Sequence, residues 1–556
     1  MRDFSIILKT LLLQKFRFQK YTASGKKNRV LLAFIVAGVA CLPMLALVAF
    51  SVYNTGLIMK AADVVTEGYT YLITALQAVV LFTGIISMLN TIYFSKDTEF
   101  LLPLPVKTSS IYAAKLTYVY IDELITGILT SLLLLIPYAI AVNAPFFVYF
   151  QLLLVIIIAP MLPLLLGAII AIPLMWIIGY FKNKGIITSI VYVLLMGLLF
   201  GLYYYFIYKY TGNIAEESLP GQMLANLVVS ISDGARAILP NYLLAKTLNP
   251  ASFSEYILNF LYAILIYAAL MGIAVTISSL VYRSTIMKQL ENPKRKMVVR
   301  SSEKRVGIVG SLIKSDAKRL FRDPNMGTFT LFQLIIVPII VVIMLFQFSG
   351  DNLGGIDIAF LKPVIIIGAM AFTLFMGMST NTAATSAFTR ENRNFYVLKT
   401  LPIDFKNILK AKIYLAAIFS EITLIITSIV VAVMTKAEWY YFLAMLGVYT
   451  FLNLGTTCIQ VLVDLARPRL NWNTFNEGAK NNPSSLMSLL IGFIMMLVVV
   501  AIGGIFLYPL FTTGTLSAWA EPVMWGILLA ISLVYMIISY EITMKNSQKL
   551  FDRIEQ

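Results

Sequence analysis

Histidine is absent from the 556 residues, and cysteine occurs only twice, at Cys41 and Cys458, each inside an apolar run. Without histidine the chain lacks the commonest general base and the commonest metal ligand. Two isolated cysteines make neither a disulfide framework nor a metal cluster. No G-x-x-x-x-G-K-[ST] run occurs; Gly25-Lys26 lacks both the upstream glycine and the following Ser or Thr. Such a loop is what cradles nucleotide phosphates, so the chain is expected to hydrolyse no ATP itself. No catalytic residue, metal ligand or cofactor is expected on it. Charged residues make up only 13%.

What the chain has instead is apolar sequence. It is 59% hydrophobic with a mean hydropathy of +0.85. Runs of the roughly 20 apolar residues that cross a bilayer recur throughout. They fall near 31–52, 71–94, 116–141, 147–179, 186–208 and 256–282, then 328–349, 363–388, 413–434, 439–464, 485–511 and 521–543. The fourth holds Pro160, Pro163 and Pro173 and is expected to kink or break. Residues 4–20 alternate Leu and Ile with Lys9, Lys15, Arg17 and Lys20, the pattern of a helix lying in the membrane interface. The expected fold is all-α and polytopic, with about twelve transmembrane helices in two pseudo-symmetric halves of six. Its parts are an interface helix in 1–30, a first half over 31–282, a basic linker with a second interface helix over 283–325, a second half over 326–545, and a tail from 546 to 556. The long outer loop, 209–255, is expected to form one or two short helices near the outer surface.

Charge placement supports this map. Of the 43 Lys and Arg, 37 fall on the side of the N-terminus; the exceptions are Lys60, Lys209, Arg236, Lys246, Lys362 and Lys436. That is the positive-inside pattern for an even number of spans with both ends cytoplasmic. The net charge of +16 therefore reports topology, and nucleic acid is not an expected partner.

A short polar hinge occurs twice. Phe94 to Lys115 reads FSKDTEFLLPLPVKTSSIYAAK, and Phe388 to Lys412 reads FTRENRNFYVLKTLPIDFKNILKAK. One offset of 297 residues relates Leu104-Pro105 to Leu401-Pro402, Ile111 to Ile408, and Lys115 to Lys412. A run holding register between two membrane-length stretches predicts an internal duplication. Each proline pre-sets a helix start. The apolar residues before it (Phe100, Leu101 and Leu102; Phe395, Val397 and Leu398) are candidates to pack into a partner's groove. The plainer alternative is a loop whose lysines anchor lipid head groups.

A basic interface helix, six spans per unit and a charged hinge with a Leu-Pro pair before the third span resemble the ABC exporter permeases of type 2. The stretch DLARPRLNWNTFNEGAKNN, from Asp464 to Asn482, is similar to a loop of the large duplicated Gram-positive members. The first half has only Phe181-Lys182-Asn183-Lys184-Gly185 at that place. The resemblance implies that the hinges are coupling helices seated on a separate ATP-binding subunit, in two copies, with ATP and Mg on that partner. The docking residues would be Phe100, Leu101, Leu102, Leu104, Pro105 and Lys107, with Phe395, Val397, Leu398, Leu401, Pro402 and Lys406. It implies export of an amphiphilic cargo (peptide, lipid or drug) across the cell membrane.

Asp122, Glu123 and Glu421 stand seven to nine residues past the hinge lysines, inside predicted spans. Acids there are functional candidates; alternatively they pair with those lysines or with hydroxyls. An ion-coupled carrier would place acids or broken helices nearer the midplane in matching positions. A non-transporting scaffold or sensor remains the third reading, and a neighbouring ATP-binding subunit separates the three.

Overall fold

The computed structural model describes residues 2–15, 48–93, 97–101, 103–179, 232–249, 253–290, 307–321, 324–348, 358–470, 483–513 and 519–554, with scattered positions in 45–46, 187–201 and at 517. The expected spans near 31–52 and 186–208 lie largely outside the described residues, as do loop residues 209–231 and 471–482. Among the described residues every regular element is helical, and nine helical stretches, the broken one over Phe146–Ile178 included, are long and apolar enough to cross a membrane. They match nine of the twelve expected spans. The expected span at 328–349 is a helix whose apolar stretch, Met326–Val342, is shorter.

The chain divides into two compact units. The first contains α1 (Arg2–Lys15), α2 (48–61), α3 (Val65–Met88), α4 (Asp97–Leu101), α5 (Thr108–Ala141), α6 (Phe146–Ile158), α7 (Met161–Gly179), α8 (Leu239–Leu248) and α9 (Phe253–Leu290). Helix α3 is central and packs on α5, α7 and α8, while α1 lies against α5. Close approach is enforced at Gly68, where a Cβ would collide with the Tyr138 hydroxyl; that hydroxyl instead donates to the Val65 carbonyl at 3.0 Å. The expected break of the fourth span falls at Ala159-Pro160, between α6 and α7.

The carbonyl freed at that break is used. Gln77 Nε2 donates to Ala159 O (3.0 Å) and to Tyr267 Oη (2.9 Å). Asn241 Nδ2 donates to Gln77 Oε1 (2.8 Å), and Tyr267 Oη donates to Asn241 Oδ1 (3.0 Å). Irregular backbone at membrane depth persists only when its polar groups are met by protein, and this ring meets them. It also places the short helix α8 of the long loop, whose Asn241 is buried between α3 and α9.

The second unit contains α10 (Ile308–Leu320), α11 (Pro324–Phe348), α12 (Ile358–Ser379), α13 (Thr382–Thr385), a tight 3-10 turn (Thr389–Asn394), α14 (Phe395–Thr400), α15 (Phe405–Met434), α16 (Trp439–Ala466), α17 (Pro483–Thr513) and α18 (Ala520–Asp552). Helices α16 and α18 meet at Gly455, where a Cβ would stand 2.7 Å from the Tyr535 ring; α12 and α17 meet at Gly492 and Gly503. Its apolar core has two parts. One lies along α12, α15 and α16, around Met370, Leu424 and Tyr449. The other surrounds the hinge, around Phe388, Phe395, Phe405 and Phe551. Helix α18 runs on to Asp552, through most of the tail expected from 546, and Phe551 packs 4.4 Å from Phe405, centroid to centroid.

Helix α15 is bounded as α5 is, each within its own unit. Their first residues, Thr108 and Phe405, differ by 297. Their far ends differ by 293, one helical turn less. Ala144 N donates to Ala139 O and Ala437 N to Ala432 O, both at 2.9 Å. The residue before each alanine has positive φ, 57° at Asn143 and 47° at Lys436. These are the bonds of a Schellman C-cap.

Candidate functional site

Both hinges turn at their Leu-Pro pair in the same way. Val106 N donates to Leu104 O (2.7 Å) and Ile403 N to Leu401 O (2.8 Å). These i to i+2 bonds are tight turns that the fixed φ of Pro105 and Pro402 suits. After each turn a helix starts at once. In the second unit Asp404 caps it, accepting from Lys406 N at 3.1 Å.

The turn sorts the candidate residues into two sets. Phe100 (70% exposed), Leu104 (39%), Val397 (55%) and Leu401 (40%) present apolar surface outward. Pro105, Lys107, Pro402 and Lys406 are exposed beside them, and Leu101 is half-buried. The side chain of Leu102 lies outside the described residues. Phe395 and Leu398 correct the expectation of docking. Both are buried within this chain, Phe395 against Phe388 and Phe551. A helical turn can show only one side to a partner, and here Val397 holds the outer one.

Behind the second hinge lies a buried charge network. Arg390 grips Asp316 with two bonds, Nε to Oδ1 at 2.9 Å and Nη2 to Oδ2 at 2.5 Å, and its Nη1 donates to Ala383 O at 2.7 Å. Lys412 Nζ donates to Asp316 Oδ1 at 3.1 Å and also to Glu391. Arg319 closes the cluster on Glu391 from the surface side. Burial would raise the Asp316 pKa, but Arg390 and Lys412 outweigh it and hold the carboxyl well below the usual carboxylate range. On the opposite side of the hinge Asp464 accepts from Phe388 N (2.6 Å), Thr389 N (2.9 Å) and Thr389 Oγ1 (2.6 Å). Lys399 Nζ donates to Ile554 O at 2.6 Å. Charged or polar bonds from α10, α15, α16 and the end of α18 thus converge on one short segment. Sequence reading marked Lys412 as a register point and as a pairing candidate for Glu421; its observed partners, Asp316 and Glu391, are others.

The first hinge is backed differently. Lys115 is fully buried, as Lys412 is, with Asp97 of α4 as its acidic influence. Tyr93, Tyr112 and Tyr282 form an edge-to-face group behind it. Helix α3 ends in a π-helical turn, Leu89–Tyr93, and Tyr282 Oη donates to Ile92 O at 3.3 Å.

The intramembrane acids take hydroxyl and amide partners. Glu123 accepts from Thr83 Oγ1 (2.5 Å) and Ser87 Oγ (2.8 Å). Glu421 accepts from Thr450 Oγ1 (2.6 Å) and Asn453 Nδ2 (2.7 Å). Asp122 is half-buried and also engaged.

A family model described as "Putative ATP-binding cassette" matches residues 27–554, nearly the whole chain. No curated protein matches it.

Proposed function

Since the chain belongs to this ATP-binding cassette family, we propose that it is the membrane-spanning permease subunit of an ATP-driven exporter. It comprises two related six-span halves, with both termini in the cytoplasm and the cell membrane as its site. ATP is bound and hydrolysed with Mg on a separate subunit, two copies of which seat on the two hinges. The observation that carries this reading is the pair of hinges, each an outward apolar edge on a Pro-bounded turn. The edges are Phe100, Leu104 and Pro105 in one, Val397, Leu401 and Pro402 in the other. Each edge sits directly ahead of a long span, so a push on it moves that span as a lever. Lys107 and Lys406 flank the edges and would meet acidic residues of the ATPase.

The cargo is an amphiphile by likeness to the exporter permeases, in which the route lies between apolar spans. Export is the direction implied by the likeness of the hinge and interface helices to exporter permeases. Co-purification tests the assignment. The chain is expressed with the ATP-binding subunit encoded beside it, as wild type and with both Leu-Pro pairs replaced by Gly-Ser. Capture of ATPase by the wild type and its loss in the variant is expected. Equal capture by both would remove the hinges from the coupling path.

A further inference from the structure

Helix α12 stops at Ser379, inside an apolar helical bundle and short of the hinge. The last four carbonyls of a helix have no partner within it, and here each is met by side chains. Thr380 N and Oγ1 donate to Met376 O at 3.2 and 2.6 Å. Gln333 Nε2 of α11 donates to Gly377 O at 2.5 Å. Gln460 Nε2 of α16 (2.8 Å) and Ser488 Oγ of α17 (3.0 Å) donate to Met378 O. Ser488 Oγ also lies 3.4 Å from Ser379 O.

Meeting the carbonyls still leaves side-chain oxygens over. Gln333 Oε1, Gln460 Oε1 and Ser379 Oγ are buried with no hydrogen-bond partner among the described residues, and both glutamines are 1% exposed. The glutamine amides cannot simply be turned round, since each nitrogen already faces a carbonyl and an oxygen there would repel it. Gly492 holds α17 against this point: a Cβ would stand 2.5 Å from Ser379 Oγ and 3.2 Å from Phe375 O. Ser488 lies one turn away on the same helix.

Surplus oxygens at a helix C-terminus, where the peptide dipoles concentrate negative potential, select a donor that carries positive charge. The oxygens are neutral amide, hydroxyl and carbonyl groups. Calcium and magnesium sites are built on carboxylates, and softer metals take sulfur and imidazole. No group of three or more His, Cys, Asp and Glu is placed to hold a metal among the described residues. A hard, singly charged ion suits this set, and interrupted membrane helices elsewhere use their carbonyl ends in this way. We propose that the interrupted end of α12 binds an alkali cation through Gln333 Oε1, Gln460 Oε1, Ser379 Oγ and the adjoining carbonyl of Ser379, which has only a long 3.4 Å contact with Ser488 Oγ.

Thermal unfolding of the full chain in detergent, followed by tryptophan fluorescence, tests this. Sodium, potassium and lithium chloride are each titrated against choline chloride at constant ionic strength. One alkali ion is expected to raise the midpoint saturably. Ser379→Ala removes a ligand that makes no other hydrogen bond among the described residues, and should raise the half-saturating concentration about tenfold, as loss of one good contact does. Gly492→Ala, which presses a methyl on the same hydroxyl, should shift it in the same direction. Identical wild-type midpoints in all four salts would overturn the proposal. An ion response that neither substitution alters would also overturn it, by placing the ion elsewhere.

Discussion

Asp316 and Lys412 stand 96 residues apart and share one salt bridge of 3.1 Å in a site closed to solvent. Removing one partner of such a pair leaves an uncompensated buried charge, which costs about 3–5 kcal/mol. Lys412→Met should therefore lower the unfolding midpoint sharply and strip the protection of the hinge amides in hydrogen exchange. Asp316 also predicts the pH response. Its pKa is lower folded than unfolded, so its contribution is complete above the unfolded value of about 3.9 and disappears as pH falls toward the folded one. Stability from this group should be flat from pH 8 to about pH 5, and decline below about pH 4. Asp316→Asn should abolish that acid-side decline in chemical denaturation, at the cost of lower stability at neutral pH. None of this network was legible in the sequence. A lysine at the start of a span reads equally well as a lipid anchor, and its acids come from α10 and the 3-10 turn, placed by tertiary packing alone.

The hinge as an element separates an outward apolar face, where docking is proposed, from a core face. Phe395→Ala empties a site lined by Phe388 and Phe551 and should cost about 3–5 kcal/mol, read as a lowered midpoint. Val397→Asp changes an outward residue and should leave the midpoint within about 0.5 kcal/mol while abolishing ATPase capture at that hinge. The reverse outcome would show that the assigned faces are exchanged. The Leu-Pro register was visible in the sequence because proline constrains the local backbone directly. The matching far ends of α5 and α15 were not, because one extra helical turn in α5 shifts the offset from 297 to 293. The interruption after Ser379 was hidden inside a span expected to run unbroken through 363–388. The Ser, Thr and Asn cluster from Ser379 to Ser386 was the signal for it, since these side chains compete for backbone hydrogen bonds.

At the scale of the molecule, hydropathy located the nine candidate spans found among the described residues, since a membrane helix needs only length and apolarity. It said nothing of how they pack. Asn241 shows the limit: it lies in a loop by composition, yet closes the ring with Gln77 and Tyr267 in the first unit's core. Topology makes its own prediction. Single cysteines placed at Lys436 and at Lys406, in a background lacking Cys41 and Cys458, should react with an impermeant maleimide on opposite sides of the membrane: Lys436 from outside intact cells, Lys406 only after permeabilisation. Labelling of both from one side would refute the span between them.

The central claim is that two hinges on one chain each seat one ATPase, and counting the ATPases tests it most directly. Native mass spectrometry of the co-expressed complex should give two ATP-binding subunits per chain for the wild type, one for Phe100→Asp, one for Val397→Asp, and none for the double variant. A wild-type chain that binds no ATPase, or single variants that still hold two, would contradict the account.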